Sequence, residues 1–388
     1  MPASSDFVIA APRLDWHIAA DDRWHSPEHE SSVRQRRIDG TAVVETRARV
    51  PDGDAVQRVY SVADHGGLTV IEVENESPLP IAVAFTNGNL LSQRPPAAPI
   101  EGISLPAGSV AFPIGHRSTL TVAISHNGMG AGALPAGLST AAAVVRGWLN
   151  TTERAGHLLT PDTELNERVI AIRCEIALDG PPHPDDDAVG FILAVDQLVR
   201  MGEKAGPFLP QLAYALELVA RAASSSGNAD WSLAATFNAA DRVLATESDD
   251  RARTDLAAIR RKLGIDDELP SKAPIDAVRE LAWIEQRIVA PGAGGARLLI
   301  AGLPAAWLGN NFEVFNAPTS GTGVVSYGVR WHGDRPAVLW DQSPGSDAPV
   351  VLTSPNLAPQ WQSAEASGEA LWDKYNSNQY TATNPRGR

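Results

Sequence analysis

The sequence has 388 residues, with 46 acidic against 32 basic side chains, a formal charge of −14 and a pI near 5.1. Such a balance repels phosphate backbones and anionic surfaces, so neither nucleic acid nor a membrane is expected as a partner. A single cysteine, Cys174, excludes an intramolecular disulfide and a cysteine-rich metal site.

The length allows roughly two or three domains, and 44% hydrophobic content can fill their cores. No stretch approaches about 18 uninterrupted apolar residues, and the opening MPASSDFVIAAPRLDW lacks the basic start and apolar run of a secretory signal. A soluble, cytoplasmic protein is the expectation.

From Phe7 to about Ile124 the pattern is short and alternating. The run 42–50 leads into Pro51-Asp52-Gly53-Asp54 and then 56–62, which reads as strand, turn and strand. The segments 68–74, 81–86 and 118–124 are β-branched and bounded by Gly, Asn, Ser or Pro, so 1–126 is expected to be a β-sandwich. Arg94 to Gly108 is too rich in proline for a central strand and reads as a loop or an edge. Residues 127–160 form a Gly/Ala/Pro-rich connector with a linker helix over 140–150.

The apolar period then becomes helical. Thr160 is expected to cap the first helix, with Pro161 at its first position and Asp162 and Glu164 complementing the dipole. Helices are predicted over 185–203, 208–223, 230–246, 249–263 and 275–289, with Asp230 and Asp249 as N-caps and Gly264 as a terminal glycine. Short connections predict antiparallel hairpins, giving an all-α array over 161–290. After Pro291-Gly292-Ala293-Gly294-Gly295, strand-like runs at 296–301, 323–331, 337–340 and 349–353 form a small β module over 291–375, and 376–388 is expected to be a disordered tail. The fold class is therefore multidomain α+β: an antiparallel β-sandwich, a central helical-hairpin array and a C-terminal β module.

Three constellations bear on chemistry. Ten tryptophans stand against five tyrosines, and Trp331, Trp340, Trp361 and Trp372 crowd the C-terminal region. An indole face stacks on a sugar as readily as on a core neighbour. Trp231 and Trp331, with Arg330 and His332, are the candidate substrate-binding residues, although the stretch from Tyr327 to Pro336 also suits a hairpin tip. Glycosyl chemistry needs two carboxylates about 5 to 9.5 Å apart. Asp187, Asp230 and Glu164 are the candidate catalytic acids, with the neighbouring Asp185 and Asp186 and with Asp241 beside them; the competing account for each is an N-cap or a dipole-compensating charge. His17, His25 and His29 with Glu28 and Glu30 have the outline of a metal cluster, but Pro27 breaks the helix that the spacing would require. No GxSxG, GxxxxGK[ST] or HExxH motif is present. No metal and no cofactor is called for.

The order of parts, together with the strand pair RWHGDRPAVLW from Arg330 to Trp340, resembles the six-hairpin glycosidase superfamily of bacteria, whose glucoamylase-like hydrolases and disaccharide phosphorylases act from an (α/α)-barrel. The resemblance implies a carbohydrate-active protein with a saccharide held between the helical array and the flanking β regions. A complete toroid uses about twelve helices, whereas 161–289 has room for about six at the usual helix length. The array is then a reduced toroid, either completed by a second copy or catalytically inert, and no catalytic residue of the family is carried over. The alternative is a non-catalytic binding or assembly protein of the same fold. A third reading, oligomerisation through an apolar helix face, predicts an exposed hydrophobic patch on 208–223.

Overall fold

The structure is a computed structural model that describes residues 14–374, apart from 98–99, 129, 227–230, 266–268, 293–294 and 346–347. The expected tail over 376–388 and the candidate Asp230 lie outside the described residues. The described residues form seven α-helices and four β-sheets, a mixed α+β protein. The chain divides into two compact units, Met1–Leu149 and Asn150–Arg388.

The first unit holds β1 (Trp16–Ala20), β2 (Arg23–His25), β3 (Arg34–Arg37), β4 (Val44–Val50), β5 (Gly53–Val62), β6 (Leu68–Asn75), β7 (Ile81–Phe85), β8 (Leu91–Ser92), β9 (Val110–Ile114), β10 (Thr119–Ser125) and β11 (Gly132–Ala133). A four-stranded sheet runs β2-β1-β7-β9 and a seven-stranded one β11-β8-β10-β6-β5-β4-β3. The turn at Pro51-Asp52 joins β4 to β5 with Val50 opposite Gly53. Alternation sorts the side chains of the larger sheet. Ile71, Val73, Leu120 and Val122 meet Ile18, Val83, Phe85 and Phe112 of the smaller sheet in one core. Tyr60, Val70 and Ala123 point the other way and pack under Ala141 and Val145 of α1 (Ala141–Thr152). The larger sheet is thus covered on one face by the smaller sheet and on part of the other by α1. The proline-rich segment between β8 and β9 is a loop that touches the smaller sheet through one bridge, Ala97 to Ala111.

The second unit contains β12 (His157–Leu159), α2 (Thr163–Asp179), α3 (Pro184–Met201), α4 (Leu209–Ser226), α5 (Trp231–Thr246), α6 (Asp250–Leu263) and α7 (Ala277–Ile288). Then follow β13 (Val289–Gly292), β14 (Gly295–Leu298), β15 (Phe312–Pro318), β16 (Val324–His332), β17 (Arg335–Ser343), β18 (Leu352–Ser354), β19 (Ala358–Ser363) and β20 (Ser367–Leu371). One sheet has the order β12-β15-β16-β17-β20 and the other β13-β14-β18-β19. Among the described residues six helices fall between 161 and 289, as the spacing predicts. Asp249 caps α6 by accepting from the Ala252 amide at 3.0 Å, and Gly264 ends it in a left-handed conformation. The cap of α2 is Asp162, which accepts from the Leu165 amide at 3.0 Å. Thr160 is not the cap: its hydroxyl donates to Asn166 Oδ1 at 2.8 Å and accepts from the Asp162 amide at 3.3 Å, before the helix begins.

The helices depart from a chain of hairpins. α3 packs against α2, α4, α5 and α7, whereas the consecutive pair α4 and α5 touch little. The reason lies in α3 itself, where Phe191, Ile192, Leu193, Ala194, Val195 and Leu198 are buried on nearly every side. A helix that is apolar most of the way round belongs in the middle. The helical core reaches the β strands through Leu158, Leu165 and Ile288.

The strand after α7 is invisible to periodicity. Val289-Ala290-Pro291-Gly292 carries a proline, which only an edge strand tolerates, and β13 is such an edge. Its partner begins at Gly295, with φ of +127° and a backbone so close to its neighbour that an added Cβ would lie 2.0 Å from the Val351 carbonyl oxygen. The approach is enforced by the Ala296 amide, which donates to that same oxygen at 2.8 Å. Gly295→Ala is expected to cost at least about 2 kcal/mol, read as a lower urea midpoint with an unchanged m-value.

Candidate functional site

The structure scatters the predicted site residues. Glu164 is an exposed side chain in the first turn of α2. Asp187 interrupts α3 with non-helical dihedrals (φ −155°, ψ 88°), and its Oδ1 accepts from the Gly190 amide at 2.9 Å, which makes it the cap of the main part of that helix. Arg279 of α7 clamps the same carboxylate with Nη1 and Nη2 at 2.7 and 2.6 Å. Burial works to raise the Asp187 pKa, but the Arg279 hydrogen bond and the Gly190 amide outweigh it and hold the group below its ordinary value. Asp185 accepts from the Tyr214 hydroxyl at 2.6 Å, Asp186 is exposed, and Asp241 pairs with Arg253 Nε at 2.9 Å. Asp185, Asp186 and Asp187 line one open concavity beside Leu218 and Val219, whereas Glu164 and Asp241 are not in its lining.

Both aromatic candidates pack against cores. Trp231, 9% exposed, belongs to the helical core and presents no face for a sugar to stack on. Trp331 packs its ring partly against the β core, and its amide donates to Asn311 Oδ1 at 2.9 Å. Arg330 is paired with Glu313, and His332 is exposed at the tip where it faces Arg335 across the β16–β17 turn. The stretch is a hairpin tip. Trp340, Trp361 and Trp372 stack edge to face, at 5.4 and 5.3 Å between successive rings, inside the β module. In the first unit His25 Nδ1 lies 3.0 Å from Glu30 and His17 Nδ1 2.8 Å from Ser26 Oγ. Among the described residues no group of three or more His, Cys, Asp or Glu side chains is arranged to hold a metal.

The strongest electrostatic feature was not among the predicted residues. Arg173 of α2, Asp196 and Arg200 of α3, Arg242 of α5 and Glu285 of α7 meet in the interior of the second unit, and each is nearly buried. Glu285 takes Arg173 at 2.9 Å on Oε1, and Arg200 and the Gln197 amide at 2.9 Å each on Oε2. Arg242 grips Asp196 with Nε and Nη2 at 2.8 and 2.7 Å, and Arg200 Nη1 lies 3.6 Å from Asp196 Oδ2. Arg173 also donates to the carbonyls of Thr152 and Ala155 at 3.1 Å each, tying the turn before β12 to the helices.

Asp196 and Glu285 share Arg200, but Glu285 is not placed to act as an acid. Burial would raise the Glu285 pKa, but Arg200 and Arg173 overwhelm it and bring it down to about 2. A carboxylate held so low is ionised throughout the working range and has no proton to give a leaving group. The sequence did carry a signal for this cluster. Asp196, Arg173 and Glu285 each sit within an apolar helix stretch, in ILAVDQLV, AIRCEI and AWIEQRI, and a charge on the inward stripe must find a partner in the core.

A concavity of another kind opens on the helices of the second unit. A groove of about 940 Å³ runs between α4 and α6 over α5, floored by Leu212, Phe237 and Leu256 and walled by Leu209, Leu216 and Ile259. Ile259 is 39% exposed at its lip. The rim carries both signs, with Glu217, Asp249 and Asp255 acidic and Arg221 and Lys262 basic. No helix among the described residues is long and apolar enough to cross a membrane, so this surface is not part of a helical span. A comparison with protein-family models finds none that matches the chain, and no curated protein is similar to it.

Proposed function

We propose that this chain is a non-catalytic binding or assembly protein: a β-sandwich, a reduced helical array and a β module, similar in element order to six-hairpin glycosidases but without their chemistry. The observation that carries the reading is the contrast between committed acids and an open apolar groove. Asp187, Asp196, Asp241 and Glu285 are each held by a guanidinium, while the α4–α6 groove exposes aliphatic side chains. The occupant we assign is a second copy, with α6 of each chain laid in the groove of the other.

Two features support a second copy as occupant. Ile259 stands out at the lip as a ridge that a groove can receive. The rim carries Asp249 and Asp255 toward the start of α6 and Lys262 in its last turn, charges that oppose each other when two α6 helices run antiparallel.

Sedimentation velocity of the full chain should show a concentration-dependent dimer that Leu216→Glu and Ile259→Glu each convert to monomer without loss of helical signal. A wild-type protein that stays monomeric across the micromolar range overturns the assignment. A melting screen against sugars and sugar phosphates tests the saccharide reading beside it. A saturable rise in Tm with one sugar would restore the carbohydrate-binding function.

A further inference from the structure

The end strand β3 of the seven-stranded sheet reads Arg34-Gln35-Arg36-Arg37, and all four residues are exposed. Its neighbour in the sheet is β4, on one side only, so alternate main-chain groups of β3 face away from the ladder. The register says which. The Ile38 amide donates to the Val43 carbonyl at 2.9 Å where the ladder ends. By the alternation of an antiparallel pair, Arg36 and Arg34 are then bonded to β4, and the N–H and C=O of Gln35 point outward.

Charge across this sheet follows an alternation of its own. Glu72 of β6, Arg58 of β5, Glu45 of β4 and Arg36 of β3 stand opposite one another in turn, on one face. Arg58 Nε and Arg36 Nη2 lie 3.1 and 3.3 Å from the Glu45 carboxylate. The signs run minus, plus, minus, plus, and stop at the edge. One row along, Arg34 stands opposite Arg47, whose carboxylate partners are Glu45, Asp54 and Glu76. Among the described residues no acid pairs with Arg34. Like charges directly opposite are unfavourable, and a single charge would suffice to keep stray strands off an edge. Arg34 and Arg36, two residues apart on one face, instead leave both rows one acid short. A second copy does not supply it, because β3 against β3 brings arginines together.

We propose that β3 is a docking edge for an extended acidic peptide of a partner protein. The peptide adds as a further strand, its main chain paired with Gln35 and its carboxylates, at alternate positions, facing Arg34 and Arg36. The site lies in the first unit and does not rest on the α4–α6 groove.

The test uses the full chain and three labelled octapeptides: glutamate alternating with valine, the same with lysine for glutamate, and the acidic one N-methylated at alternate main-chain amides. In fluorescence anisotropy at low salt only the unmethylated acidic peptide should bind saturably. Arg34→Glu should weaken it about tenfold. Gln35→Pro removes the outward donor while sparing the bonds to β4, and should weaken it by about as much. In the wild type, hydrogen exchange at the Gln35 amide should slow when the peptide is bound. No saturable binding of the acidic peptide, equal binding of the N-methylated one, an unchanged affinity in Arg34→Glu, or equal competition by an oligonucleotide of the same charge overturns the proposal.

Discussion

Glu285→Gln is expected to lower the stability of the second unit by about 3–5 kcal/mol, the usual cost of removing one partner from a buried ion pair. Arg173 and Arg200 would lose their shared carboxylate in a medium that penalises free charge. In thermal melting the loss corresponds to a fall of about 10 °C for a unit of this size. The pH dependence follows from the direction of the shift. Glu285 has its pKa lowered from 4.5 to about 2, so the unfolded chain binds a proton first as acid is added. The stabilisation is complete above about pH 4.5 and is lost as pH falls toward about 2. Urea midpoints measured across that window should fall steeply for the wild type and much less for Glu285→Gln. Equal slopes for the two proteins would contradict the assignment of this carboxylate as the anion of the core.

The second large effect concerns Asp187, the acid whose position at a helix start first drew a catalytic reading. Its replacement should damage folding. Asp187→Ala removes a cap, worth about 1 kcal/mol, and the bidentate partner of Arg279. Both side chains are roughly a third exposed, so solvent screens the pair and its coupling is held to about 1–2 kcal/mol. A double-mutant cycle of Asp187→Ala with Arg279→Met measures that coupling directly. The Asp187 pKa is also depressed, so this contribution persists above its ordinary value and is lost on acidification below it. A cycle with no coupling would free Asp187 from its structural role and return it to consideration as a working acid.

Helices were legible wherever charge and apolar period agreed. Asp249 and Gly264 bracket α6 in the sequence as they do in the fold, because a cap and a terminal glycine act through bonds of three or four residues. Strands were legible where both faces alternate, as in β6 and β16, and illegible where they were short or held a proline, as in β12 and β13. Such strands exist because a neighbour supplies the hydrogen bonds, which is information carried elsewhere in the chain.

The candidate site divides along the same line. Asp187, Arg330 and Trp331 were conspicuous as chemical groups, but their neighbours set their surroundings: Arg279 is 92 residues from Asp187, and the β core packs against part of the Trp331 side chain. The ionic core was visible only as charges out of place on apolar helix faces, without any sign of which charge meets which.

By itself the sequence determined the change of texture along the chain, the number of helices between 161 and 289, the caps at Asp249 and Gly264, and the acidic surface charge. These depend on near neighbours and on composition. Only the tertiary structure decided that α3 lies at the centre, that the acids are neutralised in place of being poised, and that apolar side chains of α4 and α6 remain open. Those outcomes depend on contacts between residues up to 112 positions apart, such as Arg173 with Glu285, whose free energy exists only once the chain has brought them together.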